Sequence, residues 1–144
     1  MTTDLGGYAT HLERAAQVLP ARLREALASR MRDTASTARR LAAQRMTGIS
    51  SSALASIRGE ASADLVGRVY GDTARTPWLR VQEEGGTIRA TRGPWLVIPQ
   101  PDGTFRKVHA VTLRPQGFMA DAFTQELPAT RRHLAATLAD EVAL

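Results

Sequence analysis

Apolar residues recur at steps of three and four through the first third of the chain: Leu12, Ala16, Leu19, Leu23, Leu27, Met31, Ala35, Ala38, Leu41 and Ala42. That spacing lines one side of an α-helix and predicts a long N-terminal helical region over residues 8–46. Pro20 lacks a backbone N–H and crowds the preceding turn, so a break or kink is expected near Leu19. The roughly 24 residues from Pro20 onward would extend about 36 Å at 1.5 Å per residue. This exceeds what a domain of this size needs for its own core, and part of the helix is expected to pack on a neighbouring subunit. The small residues Ala35, Ser36, Thr37 and Ala38 permit close approach by another helix, although alanine-rich stretches are also simply good helix formers.

The period changes after the polar break at 47–52, where Gly48 is placed to end the helix. Residues 53–61 and 64–70 read as an antiparallel pair of strands. Thr76-Pro77 reads as a helix start, with Thr76 as N-cap, opening a short helix over 76–84 that Gly85-Gly86 ends. Short strands are expected at 87–90, 95–99 and 104–108, joined by the turns Arg92-Gly93-Pro94 and Pro101-Asp102-Gly103. After Arg114-Pro115 a C-terminal helix is expected over 116–143, interrupted or kinked at Pro128. The class is α+β: a helical region, a small mainly antiparallel sheet region over 53–113, and a closing helix. No repeat of fixed period is evident.

A length of 144 residues suits one domain spanning 1–144, and 43% hydrophobic residues with only seven aromatics imply a core of Leu, Val, Ile and Ala. With no cysteine there is no disulfide framework, thiolate nucleophile or Cys-based zinc site. Neither secretion nor membrane insertion is expected, because the opening residues lack a basic and then apolar leader and no apolar run reaches 18 residues. The net charge of +5 rests on 18 Arg and one Lys. It reads in two ways, as bidentate pairing with carboxylates or phosphates and as the coding bias of a GC-rich genome. Eight arginines lie between Arg14 and Arg45, and the only acids in or next to that stretch are Glu13, Glu25 and Asp33; Arg30, Arg32, Arg39, Arg40 and Arg45 form the candidate basic patch.

Catalytic chemistry finds little support. His11, His109 and His133 are widely spaced and carry no metal-ligand motif, and His11 and His133 read as solvated helix residues. Ser50-Ser51-Ser52 lacks a nucleophile elbow, and the glycine pairs lack a phosphate-loop pattern. Glu83 and Glu84 are adjacent, about 100° apart on a helix, so they do not converge; their simpler role is to cap a short helix and meet arginines. Trp78 and Trp95 are candidate core or interface anchors. No catalytic, cofactor or metal residues are expected, and the chain is not expected to be an enzyme. RNA- and DNA-reading motifs are also missing, which leaves nonspecific contact of the Arg-rich helix with a nucleic-acid backbone as the alternative to a structural role.

Two segments carry a resemblance. Tyr70–Thr87 places an aromatic-bearing short helix before a Gly-Gly turn, and Arg114-Pro115-Gln116-Gly117-Phe118-Met119 opens the last helix. Together with the segment 48–57, in this order, they resemble a family of tailed-bacteriophage neck and tail-component proteins that join head to tail. The family's pattern is Y-A-x-x-x-E-x-G-T followed by R-P-x-x-F. Thr76-Pro77-Trp78 departs from its Tyr-Ala, with Trp78 in place of the aromatic, and the Pro- and Gly-rich stretch 92–104 is an insertion expected to form a protruding hairpin.

The resemblance implies a virion structural protein of the head-to-tail connector, a neck ring or a tail terminator, located in the neck or upper tail and assembled in the bacterial cytoplasm. It implies self-association around the DNA channel, in six or twelve copies. Neighbours would be connector, portal-side or tail-tube proteins, with nonspecific contact to packaged DNA. Trp78, Gln82, Gly85, Gly86, Trp95 and Phe118 are the candidate interface or fold anchors. A ring needs two complementary patches on each subunit. The Arg-rich helix and the acids Asp121, Glu126, Asp140 and Glu141 are expected to supply them, facing each other between subunits or across layers.

Overall fold

The computed structural model describes residues 5–72 and 74–143, so residues 1–4 of the opening segment and Thr73 of the 70–87 segment lie outside the description. The fold is α+β. In chain order it runs α1 (Leu5–Arg45), α2 (Ser51–Ala55), β1 (Arg58–Ala61), β2 (Gly67–Tyr70), α3 (Trp78–Glu84), β3 (Gly86–Arg89), β4 (Leu96–Pro99), β5 (Phe105–Val108), β6 (Ala110–Leu113) and α4 (Phe118–Val142).

Helix α1 runs unbroken through Pro20 for 41 residues, about 62 Å at 1.5 Å per residue, so of the break or kink expected near Leu19 the break is not made. Helix α4 likewise continues through Pro128. Both prolines lie on exposed faces. An interior proline costs about 3 kcal/mol, which the remaining turns of two long, mutually packed helices offset. The predicted apolar stripe is buried from Met31 onward, at Ala35, Ala38, Leu41 and Ala42, while Leu19, Leu23 and Leu27 are half-buried and Leu12 and Ala16 lie open.

The chain's own α4 packs along α1. Arg22 pairs with Glu141, Arg30 with Glu126 and Arg45 with Asp121, an order that makes the two helices antiparallel. The small residues of α1 meet this helix: Thr37 Oγ1 donates to Glu126 Oε1 at 2.6 Å, and Ala35 and Ala38 share the core with Phe118 and Ala122. Ile57 and Leu79 complete that core from the opposite side.

The strands form three separate antiparallel ladders, β1–β2, β3–β6 and β4–β5, instead of one sheet. Residues 53–61 are not a continuous strand. Ser50 caps α2 through its side chain, accepting from Ala53 N at 3.2 Å, and β1 begins only at Arg58. The second strand is also shorter than expected: Ser62 closes a turn over 62–66 with Leu65 left-handed at φ 58°, and β2 starts at Gly67. Ladder β1–β2 lies directly on α1 because of Gly59. A Cβ there would overlap the Met31 carbonyl and stand 2.8 Å from Arg32 N, so only hydrogen fits between strand and helix. Strand β6, absent from the sequence reading, pairs with β3 through Thr87↔Thr112 and Ile88↔Val111.

Candidate functional site

Two regions collect the candidate residues, a junction between α3 and α4 and a hairpin lobe formed by β4 and β5. At the junction the two segments that carry the resemblance meet. The Gln82 carbonyl accepts from Gln116 N at 2.8 Å and the Glu83 carbonyl from Gly117 N at 3.3 Å, satisfying groups that the end of α3 leaves open. The Glu83 carboxylate accepts from the Met119 and Ala120 amides, each at 3.0 Å. Glu83 therefore caps α4 and not its own helix, placing a negative charge at the positive end of a 25-residue dipole. Glu84 meets Arg80 on the surface at 3.1 Å.

Gly85 has φ 73°, and a Cβ there would sit 2.8 Å from Pro115 Cδ and 3.0 Å from the Leu113 carbonyl, so glycine is required on both counts. Gly86 opens β3 at φ 147°. Phe118 is fully buried and anchors the core. Trp78 does not: it is 37% exposed, because the first turn of α3 turns Leu79 inward instead. Thr76 is not the N-cap of α3. Its hydroxyl donates to the Asp72 carbonyl at 2.7 Å, Pro77 occupies the cap position, and no side chain caps the helix. Tyr70, Leu79, Arg80, Glu83, Glu84 and Met119 border a largely apolar cavity of about 180 Å³ beside this junction.

The basic patch is engaged within the chain. Arg30 Nη2 lies 2.5 Å from Glu126 Oε2, and Arg30 Nη1 lies 2.6 Å from Asp33 Oδ2. Arg39 donates twice to the Ile57 carbonyl, at 2.9 and 2.6 Å. Arg45 donates to the Gln116 carbonyl and to Asp121, Arg32 to Glu25, and Arg40 to Gln125. The basic helix and the acids Asp121, Glu126 and Glu141 do face each other, but inside one subunit. This corrects the expected pairing between subunits for all of these residues; Asp140 is in no ion pair among the described residues. The physical reason is that α4 folds back antiparallel on α1, which brings the two charge sets together in the same chain.

Uncompensated charge gathers elsewhere. Residues 86–115, which comprise the β4–β5 hairpin and the β3–β6 ladder, hold Arg89, Arg92, Arg106, Lys107 and Arg114 against Asp102 alone. Strands β4 and β5 pair with each other, through Val97↔Lys107 and Pro99↔Phe105, and make no substantial packing contact with another element. Alternation puts Trp95, Val97, Phe105, Lys107 and His109 on one face. Trp95 is 49% exposed, Val97 56% and Phe105 70%. Trp95 stacks on His109 with ring centroids 4.1 Å apart, and His109 Nδ1 lies 2.9 Å from the Pro94 carbonyl. At the tip, Thr104 donates its hydroxyl and its amide to Asp102, at 2.6 and 2.9 Å, and these bonds hold the Asp102 carboxyl below the ordinary aspartate range.

Sequence reasoning singled out Trp95 in this lobe but missed Val97, Phe105 and Lys107. Their alternation, and five basic residues to one acid, were the available signals. The histidines remain apart, and among the described residues no group of three or more His, Cys, Asp or Glu is placed to hold a metal ion. His11 is not simply solvated: its Nε2 is enclosed and has no hydrogen-bond partner among the described residues. No described helix is long and apolar enough to cross a membrane. Comparisons with protein-family models, with curated proteins and with solved structures found no match.

Proposed function

We propose that this chain is a structural subunit of a tailed-phage head-to-tail connector, a neck ring or tail terminator that self-associates around the DNA channel and catalyses no reaction. One observation carries the reading. The β4–β5 lobe presents Trp95, Val97 and Phe105 to solvent and, among the described residues, makes no substantial packing contact with another element. A lone two-stranded hairpin is marginally stable in water, and an apolar face of this kind calls for a covering partner. Two further features support it. The segments 70–87 and 114–119, which carry the resemblance, fold into one junction held by Gln82, Glu83 and Gly85. The first turns of α1 also leave Leu12 and Val18 open.

By this reading the protein works in the virion neck or upper tail, beside portal-side or tail-tube proteins. A second reading, nonspecific nucleic-acid binding, moves from the Arg-rich helix to residues 86–115, where five basic residues stand against one acid, whereas Arg30, Arg39 and Arg45 of α1 are engaged within the chain. Native mass measured across a concentration series at low and high salt tests both. A discrete six- or twelve-subunit species supports the connector. A monomer at every concentration whose affinity for duplex DNA falls steeply with salt supports the second reading instead.

A further inference from the structure

Two surfaces of this chain are each incomplete, and they differ from one another. The first is the hairpin face. Phe105 stands beside the tip, opposite Pro99, and at 70% exposure it fills no cavity of its own chain. Arg106 and Lys107 follow it, and neither forms an ion pair among the described residues. The second is the cavity at the α3–α4 junction. Its walls are Tyr70, Leu79 and Met119, and the carboxylates Glu83 and Glu84 stand at its border. Gly71 keeps it open: a Cβ there would lie 3.1 Å from Leu79 Cδ1 and 3.8 Å from Met119 Cε.

Size and charge match these surfaces to each other. An apolar cavity of ~150 Å³ accommodates one benzene ring, and this one measures about 180 Å³. The Arg80–Glu84 pair is exposed on both sides, 73% and 60%, so it holds Glu84 weakly and leaves it able to exchange partners. Glu83 gives one lone pair per oxygen to the α4 amides and retains acceptor capacity for a cation.

We propose that Phe105 of one copy seats in the Tyr70–Leu79–Met119 cavity of the next, with Lys107, on the same strand face, set against Glu83 and Glu84. This contact rests on the ring reading, since the occupant is a second copy of the chain. It joins two different patches, so it is heterologous and repeats from subunit to subunit, closing when the rotation permits. Phosphate recognition would use the same cations, but it gives no role to Phe105, Val97 or the cavity.

The lack of cysteine makes a direct test possible. Phe105→Cys and Tyr70→Cys, prepared separately and mixed under mild oxidation, are expected to give a 105–70 disulfide in excess over either homodimer. Phe105→Ala is expected to weaken association at least ~30-fold, as loss of an interface hot spot does. It should leave the melting temperature of the dilute subunit unchanged, because the side chain is exposed. Gly71→Ala narrows the cavity and should weaken association in the same direction. Each variant retains one intact surface, so their mixture should stop at dimers.

Rings that persist in Phe105→Ala without a 105–70 cross-link overturn this contact and leave the ring reading standing. A wild-type monomer at every concentration, again without the cross-link, overturns both. Unchanged assembly in Phe105→Ala, combined with loss of duplex DNA binding in R106E/K107E, assigns the lobe to nucleic acid and overturns the contact.

Discussion

Arg30→Ala tests whether the arginines of α1 hold the subunit together or bind its neighbour. Arg30 joins α1 to α4 through Glu126 at 2.5 Å, with side-chain exposures of 14% and 23%. Breaking a buried pair by removing one partner costs about 3–5 kcal/mol, and a fully exposed pair contributes about 0.2–1 kcal/mol. This pair lies between those limits, and Thr37 still donates to Glu126 in the variant. The expected loss is therefore about 2 kcal/mol, or roughly 6–10 °C in melting temperature for a domain of this length. A double-mutant cycle with Glu126→Ala should return a coupling of about 1–2 kcal/mol. The assay is thermal unfolding followed by circular dichroism, at a concentration low enough for the subunit to be monomeric. The charge swap Arg30→Glu with Glu126→Arg should recover part of the loss there. Absence of coupling in the dilute monomer, with coupling only in the assembled form, would refute the reasoning and restore the pairing between subunits. Reversing Arg39 cannot make this distinction, because Arg39 holds the Ile57 carbonyl and its loss would damage the fold itself.

Other expectations follow from single contacts. Glu83→Ala should destabilise by about 1–2 kcal/mol, combining loss of a helix cap with loss of the charge–dipole term. Glu83→Gln should recover part of this, and faster exchange of the Met119 and Ala120 amides is the local readout. Gly59→Ala should cost more than about 2 kcal/mol in urea unfolding, since a backbone shift is needed to clear the Met31 carbonyl; a cost under about 0.5 kcal/mol would contradict the close packing. Asp102 is held below the ordinary aspartate range by Thr104, so its contribution to the hairpin tip is complete above that range. The contribution should fade as pH falls through the lowered folded value. Carboxyl NMR titration should find Asp102 below a free aspartate, and Thr104→Val should return it upward; equal titration in the two proteins would exclude the Thr104 bonds as the cause.

Local pattern carried the helices further than it carried their ends. The three-and-four spacing located α1, and its buried half begins where the small residues begin, at Met31 and Ala35. Neither proline breaks its helix, because a proline penalty is local whereas the turns on either side are held by the packing of α1 and α4 on each other. Strand β6 was invisible for the opposite reason. Its partner β3 lies some 25 residues earlier, as Thr87↔Thr112 illustrates, and nothing local in residues 110–113 announces that pairing. The charge on α1 was legible, but its recipients were not, since Asp121, Glu126 and Glu141 reach it only after α4 folds back. Glu83 was weighed solely within its own helix, while its partners are the Met119 and Ala120 amides. Phe105 passed as one residue of an ordinary strand; its exposure, in a lobe without substantial packing against another described element, is visible only in the fold.

Electron microscopy of the purified protein, at concentrations where association is complete, tests the connector reading most directly. The account predicts annular particles of six or twelve copies around an open channel, with each hairpin lobe lying over the α3–α4 junction of the adjacent copy. Particles that remain single subunits, or pairs related by a two-fold axis with both hairpins free, would contradict it.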